Sequence, residues 1–187
     1  MRYKLGYKEE KRKQLLHISG KIAKKEGFNT TGIDTFMKAA DVTSGAFYSH
    51  FSSKHDLFKA LIAAELHQSI SMWHNNPHIE PEEWIDFEIN RYLSLSHVQS
   101  AEYGCVLPAL ATEIARSDLE TQQAYQAELM KGHQIFVQHL HSEEKAWGVM
   151  CQLVGAILMA RSIADDALKI MILESSKKSI KAMLNSQ

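Results

Sequence analysis

Apolar positions recur every three to four residues along almost the whole chain, and that spacing predicts one helix after another. Leu15, Ile18 and Ile22 mark one face of a helix over 8–26, with lysines on the other face, and Gly27 directly after it is a natural terminator. Ile33, Phe36, Met37 and Ala40 repeat at i, i+3, i+4 and i+7 over 33–40, with Thr30 and Thr31 as cap candidates. Asp41 falls in a tight turn. Thr43 can cap a short helix over 44–49. Ser53 opens a helix that can run to 74, with Asp56 three residues on as a short-armed capping-box partner.

After a loop at 75–80, the pattern predicts helices over 81–98, 106–115, 118–141, 143–162 and 164–185. Gly104 breaks the second half, and Ser142 is placed to cap the helix that follows it. The stretch VMCQLVGAILMA is apolar almost all round, so its helix must be covered on more than one side. Strand-like alternation never lasts beyond a few residues. The expected fold is all-α with about nine helices. Three of them occupy residues 1–56, and the long helix that follows joins them to a bundle within 57–187.

Charge changes this picture. The chain's net charge of −1 hides a division. Residues 1–56 hold eleven Lys and Arg against six acids, hence +5, and the remainder is −6. A basic head on an acidic body suits a polyanionic partner for the head, and chance clustering of solvated charge is the competing account. The opening MRYKLGYKEEKRK lacks the apolar core of a secretory leader, and no run nears the ~20 residues of a membrane span. A cytoplasmic protein is expected. Two cysteines, Cys105 and Cys151, make neither a disulfide framework nor a zinc site.

Enzyme chemistry finds little support. Ten histidines invite a metal reading, yet the chain has no His-Glu-x-x-His and no Glu-x-x-His pairs for a helical di-metal site. It also lacks a glycine-rich phosphate loop and a serine nucleophile elbow. No metal and no cofactor are expected.

The informative stretch is ADVTSGAFYSHFSSK, residues 40–54. Gly45 weakens a short helix by about 1 kcal/mol relative to alanine, and Phe47, Tyr48, His50 and Phe51 crowd in behind it. Helix, tight turn and short helix in a basic head is the helix-turn-helix pattern, whose second helix sets its first residues against base edges in the major groove. Small residues there let the backbone approach. Tyr48 can donate to a phosphate and Lys54 can neutralise one, while Phe47 and Phe51 anchor the short helix against Ile33, Phe36, Met37 and Leu57. The alternative is a glycine that merely opens a loop, with the aromatics as ordinary core.

GFNTTGIDTFMKAADVTSGAFYSHFSSKHDLF, residues 27–58, resembles the DNA-binding domain of TetR-family transcriptional repressors. FYSHFSSK follows the family's aromatic–Tyr-x-His-Phe-x-x-Lys pattern position by position. The resemblance implies a helix-turn-helix DNA-binding domain over 1–56 and an effector-binding and dimerisation domain over 57–187. It implies that Thr43, Ser44, Gly45 and Ala46 lie at or near the groove, that Tyr48, His50 and Lys54 lie at the DNA backbone, and that Thr31 lies near a phosphate. Two departures stand out. Asp41 replaces the glycine many members carry at the turn, although Asp tolerates the left-handed conformation better than most residues. Asp34 puts an acid on the motif's first helix.

By the same resemblance, the protein is expected to repress transcription as a homodimer joined through residues 143–185. It would bind a palindromic double-stranded DNA operator and be released by a small-molecule effector. Gly148, Gly155, Ala156 and Ala160 would permit close helix approach. Candidate effector-pocket residues are Trp73, Trp84, Phe87, Tyr92, Tyr103, Cys105, Tyr125, Phe136, Trp147 and Met150, though such side chains also fill cores. The acidic body favours a cationic or neutral compound. Cys105 has a second reading. At the start of a short helix, the dipole would lower its pKa and suit an oxidant- or electrophile-sensing thiol, whereas a small buried hydrophobe is the plainer role. Cys151 is expected to pack. A DNA-binding protein with a fully packed body and no ligand control is the remaining alternative.

Overall fold

The computed structural model describes residues 6–186 and, within them, ten α-helices, one 3-10 turn and no strand. Arg2 and Lys4, part of the basic head, lie outside the described residues. The helices are α1 (Tyr7–Glu26), α2 (Ile33–Ala39), α3 (Ser44–Phe47), α4 (Lys54–His74), α5 (Pro81–Tyr92), α6 (Leu95–Gln99), α7 (Leu107–Ile114), α8 (Leu119–Leu140), α9 (Glu143–Arg161) and α10 (Asp166–Asn185). The 3-10 turn spans Ala101–Tyr103, between α6 and α7.

Short polar side chains start most of the long helices. Ser53 accepts from the Asp56 amide at 3.1 Å, and the Asp56 carboxylate accepts from the Ser52 amide at 3.0 Å. The expected box thus closes one residue earlier than its usual form. Asp118, Ser142 and Asp165 cap α8, α9 and α10 in the same way. The helix expected over 81–98 is two helices. Leu93 leaves the helical region with ψ 62 and is buried, and Ser94 caps α6 by accepting from the His97 amide at 3.3 Å. A serine that can start a new helix competes with continuing the old one.

Aromatic side chains make the core of α1–α3 and the start of α4. Phe28 stacks on Phe58 at 4.4 Å and on Phe36 at 5.4 Å, and Phe47 lies 5.8 Å from Phe51. All five rings are buried. α4 runs from this cluster into the body, packing on α1 and then on α8. α9 packs against α8 and α10.

One polar contact pins α1 to α4. Lys24 and Glu65 form an ion pair at 2.6 Å with side chains 5% and 8% exposed, and Lys24 also donates to the Gly104 carbonyl at 3.0 Å. Gly20 makes room for it. A Cβ there would stand 2.1 Å from Glu65 Oε1. Of the small residues noted on α9, Gly148 faces Met183 of α10, and Ala156 and Ala160 are buried in this chain. Only at Gly155 would a Cβ meet open space.

Candidate nucleic-acid interface and interior cavity

Asp41 adopts the left-handed conformation, φ 54, between α2 and α3, so the turn forms without glycine. Thr43 is exposed, and its hydroxyl oxygen accepts from the Ala46 amide at 3.3 Å, holding the single turn of α3. Gly45 is exposed, and a Cβ built on it would meet nothing nearer than Thr43 Oγ1 at 4.0 Å. Its φ lies outside the left-handed range that glycine alone favours. Neither packing nor backbone within the chain requires a glycine there. The side chain of Ser44 lies outside the described residues.

Phe47 and Phe51 point inward while Tyr48, between them, is 68% exposed, its ring edge-on to Phe47 at 5.1 Å. His50 is half-buried. Its pKa is lowered, chiefly by burial and then by the charges of Lys8 and Arg12. Lys54 donates to the Asn29 carbonyl at 3.1 Å, with its ammonium 5.1 Å from the Phe28 ring centroid. A groove of about 560 Å³ lined by Tyr7, Lys8, Lys11, Ala46 and His50, among others, runs between α1 and α3.

Thr31 departs from its expected place. It is buried, and its hydroxyl donates to the Gly27 carbonyl at 2.6 Å. Thr30 likewise donates to the Glu26 carbonyl at 2.7 Å. Both threonines satisfy carbonyls left open at the end of α1. α2 is instead preceded by Gly32, without a side-chain cap. Arg12 was not singled out in the sequence. Its guanidinium donates to the His50 carbonyl and lies 4.1 Å from the Phe51 ring centroid, clamping α1 to the end of the motif. In sequence it is one more cation among the lysines of α1, and periodicity does not separate it from them.

In the body, five of the ten pocket candidates come together. Trp73, Tyr92, Cys105, Phe136 and Met150 line a cavity with Leu66, Ile70, Leu129 and Glu128. It is almost wholly apolar, and at about 20 Å³ it has room for about one water molecule. A neighbouring cleft of about 200 Å³ shares Trp73, Tyr92 and Cys105 as a common wall and adds Tyr103, His97, Arg91 and four serines. Trp84, Phe87, Tyr125 and Trp147 line neither. Trp84 stacks on His139 at 4.1 Å, Trp147 stacks on the buried His133 at 4.0 Å, and Phe87 is exposed.

Cys105 does not have the environment expected of a sensing thiol. It lies two residues before α7, and burial pushes its pKa up despite the Tyr92 hydroxyl, the Leu107 amide and the positive charges of Lys24 and Arg161. Cys151 is exposed on α9 rather than packed. His97 holds the loop before α7. It donates through Nδ1 to the Tyr92 carbonyl at 2.8 Å and accepts at Nε2 from the Cys105 amide at 2.9 Å. That requires the neutral ring, and burial lowers its pKa to about 4.

A helix-turn-helix with an exposed, side-chain-poor second helix, within ten helices among the described residues, fits a DNA-binding transcription regulator. Residues 20–61 match the family model for "Bacterial regulatory proteins, tetR family". Over 53 residues the chain is 36% identical to the HTH-type transcriptional regulator AcrR of Shigella flexneri, a match spanning 28% of this chain and a quarter of that regulator's length. The whole fold is similar to the reduced form of E. coli NemR, with TM-score 0.79, 18% identity, and 92% of this chain and 97% of that one covered. It is also similar to a TetR-family transcriptional regulator from Agrobacterium tumefaciens, with TM-score 0.77, 18% identity and coverage of 94% and 98%. Residues 20–61 thus match the DNA-binding domain of the TetR family, in a chain whose fold is similar to that of TetR-family regulators.

Proposed function

We propose that this regulator is a repressor that binds a palindromic DNA operator as a homodimer and is released by a small molecule held in its body. The observation that carries the DNA contact is Gly45. It has open space and an unexceptional φ, so the chain itself gains nothing from a glycine there, and an approaching groove does. Thr43, Gly45 and Ala46 would then meet base edges, and Tyr48, His50 and Lys54 the backbone. Lys54 would exchange the Asn29 carbonyl for a phosphate.

Support for the homodimer comes from α9 and α10. Cys151, Gly155 and Leu158 fall at four- and three-residue spacing on one stripe of α9, and Leu158, Met159, Ile170 and Met171 are exposed. A second copy would cover them, as a two-fold dimer on a two-fold operator requires. For the effector, the support is the cavity and its adjoining cleft, which share Trp73, Tyr92 and Cys105 as a wall. A ligand releases the operator only if it binds the DNA-incompetent arrangement more tightly.

The test is selection of fragments bound by the protein from genomic DNA, followed by Gly45→Leu on the recovered site. Loss of binding with unchanged helicity and unchanged melting is expected. Retained binding by the leucine variant overturns the placement of α3 in the groove.

A further inference from the structure

The interior cavity has a charge signature. Glu128 supplies the only carboxylate in its lining, and no Lys, Arg or His lines it. Glu128 Oε1 takes the Lys131 ammonium at 2.5 Å, from a lysine that is 62% exposed on the outer side. The side chain as a whole is 17% exposed, but Oε2 is buried and has no hydrogen-bond partner among the described residues. A carboxylate oxygen held away from water without a partner is unfavourable, so its presence calls for a group that satisfies it. The walls around it are Trp73 and Phe136, edge-to-face at 5.2 Å, with Tyr92 and the Met150 sulfur. Ring faces carry negative potential and attract cations.

We propose that the effector is an organic cation, an alkyl- or arylammonium compound whose charged group sits between Glu128 and the rings of Trp73 and Phe136. The proposal rests on the effector-released reading above and names the ligand class of that site. Entry requires the shared wall to move. Trp73 lies across Gly132, where a Cβ would stand 2.6 Å from the indole, and the cleft of about 200 Å³ lies on its other side. Swinging Trp73 or Tyr92 aside joins the two spaces into one chamber, with the carboxylate at its inner end. Positive charge does not oppose this. Arg91, which lines the cleft, is paired with Glu88, and Arg161 lines neither space.

The test uses the full chain and three probes of similar size: benzyltrimethylammonium, its uncharged isostere neopentylbenzene, and phenylacetate. Binding is followed by calorimetry and tryptophan fluorescence, and operator affinity is measured with and without each probe. The cation is expected to bind at least 10-fold tighter than the other two and to weaken operator binding. Glu128→Gln is expected to abolish that preference. Lys131→Ala, a surface change that frees the carboxylate, is expected to tighten cation binding several-fold. Equal affinity for cation and isostere, stronger binding of phenylacetate, or a preference unchanged in both variants overturns the proposal. None of those results touches the regulator reading, which fails separately if the protein without any probe binds no operator.

Discussion

At the level of single residues, the motif's contacts divide into those free to meet DNA and those already engaged. Tyr48 is exposed, and Lys54 is held by the exposed Asn29 carbonyl and the ring of Phe28. Tyr48→Phe and Lys54→Ala should each weaken binding similarly across DNA sequences. Lys54→Ala should also reduce the slope of log affinity against log salt by about one, the signature of one lost phosphate contact. Fluorescence anisotropy at several salt concentrations checks both, and a slope unchanged in Lys54→Ala removes it from the interface. Thr31, with its hydroxyl committed to Gly27, should behave differently. Thr31→Val should lower stability by about 1 kcal/mol while leaving the salt slope intact. His97 makes a pH prediction. Its folded pKa is about 4 against 6.5 for the free side chain, so below 6.5 the unfolded chain takes up a proton that the folded chain refuses. Its contribution is fully present above pH 6.5 and is lost as pH falls towards 4, by up to about 3 kcal/mol. The difference between the parent and His97→Gln in denaturant unfolding should therefore shrink with acidification through that window.

Helices and their ends were largely legible in the sequence, because capping side chains and apolar spacing are local signals. Thr43, Ser53 and Ser142, read as caps from the sequence, cap α3, α4 and α9 in the structure. The expectation that Asp41 would enter the left-handed region at a glycine-like turn also held. Thr30 and Thr31 were assigned to the wrong helix. A threonine between two helices can cap the start of one or close the end of the other, and only the chain direction after Gly27 decides. The break at Leu93 was hidden because the apolar run continues through it. The Lys24–Glu65 pair joins residues far apart in sequence, so no local pattern reveals it. That pair gives a prediction at this scale. Glu65→Ala would strand a buried ammonium between α1 and α4 and should destabilise by about 3 to 5 kcal/mol. Glu65→Leu combined with Lys24→Met should recover much of the loss. Thermal unfolding measures both, and a small effect of Glu65→Ala would mean that Lys24 reaches water.

For the whole molecule, in the dimer proposed above, the exposed apolar stripe on α9 and α10 would decide whether two DNA-reading heads act together. One copy of α3 is a single turn of helix, too short to read more than a few base pairs, so useful affinity needs a second copy held at a fixed spacing. The chain presents Leu158, Met159, Ile170 and Met171 to solvent, with open space at Gly155, and covering such side chains is favourable by about 25 cal/mol per Å². Met171→Glu together with Gly155→Glu should place like charges across a two-fold interface. Light scattering should then report a monomer, against the dimer expected of the parent. The aromatic core of α1–α3 lies at the other end of α4 and should melt as before. If dimerisation spaces the heads, operator affinity falls by orders of magnitude, while the weak, salt-sensitive attraction to any duplex remains, because that attraction belongs to each basic head alone. A monomer that still bound operator like the parent would separate recognition from assembly and reverse this account of why the apolar stripe exists.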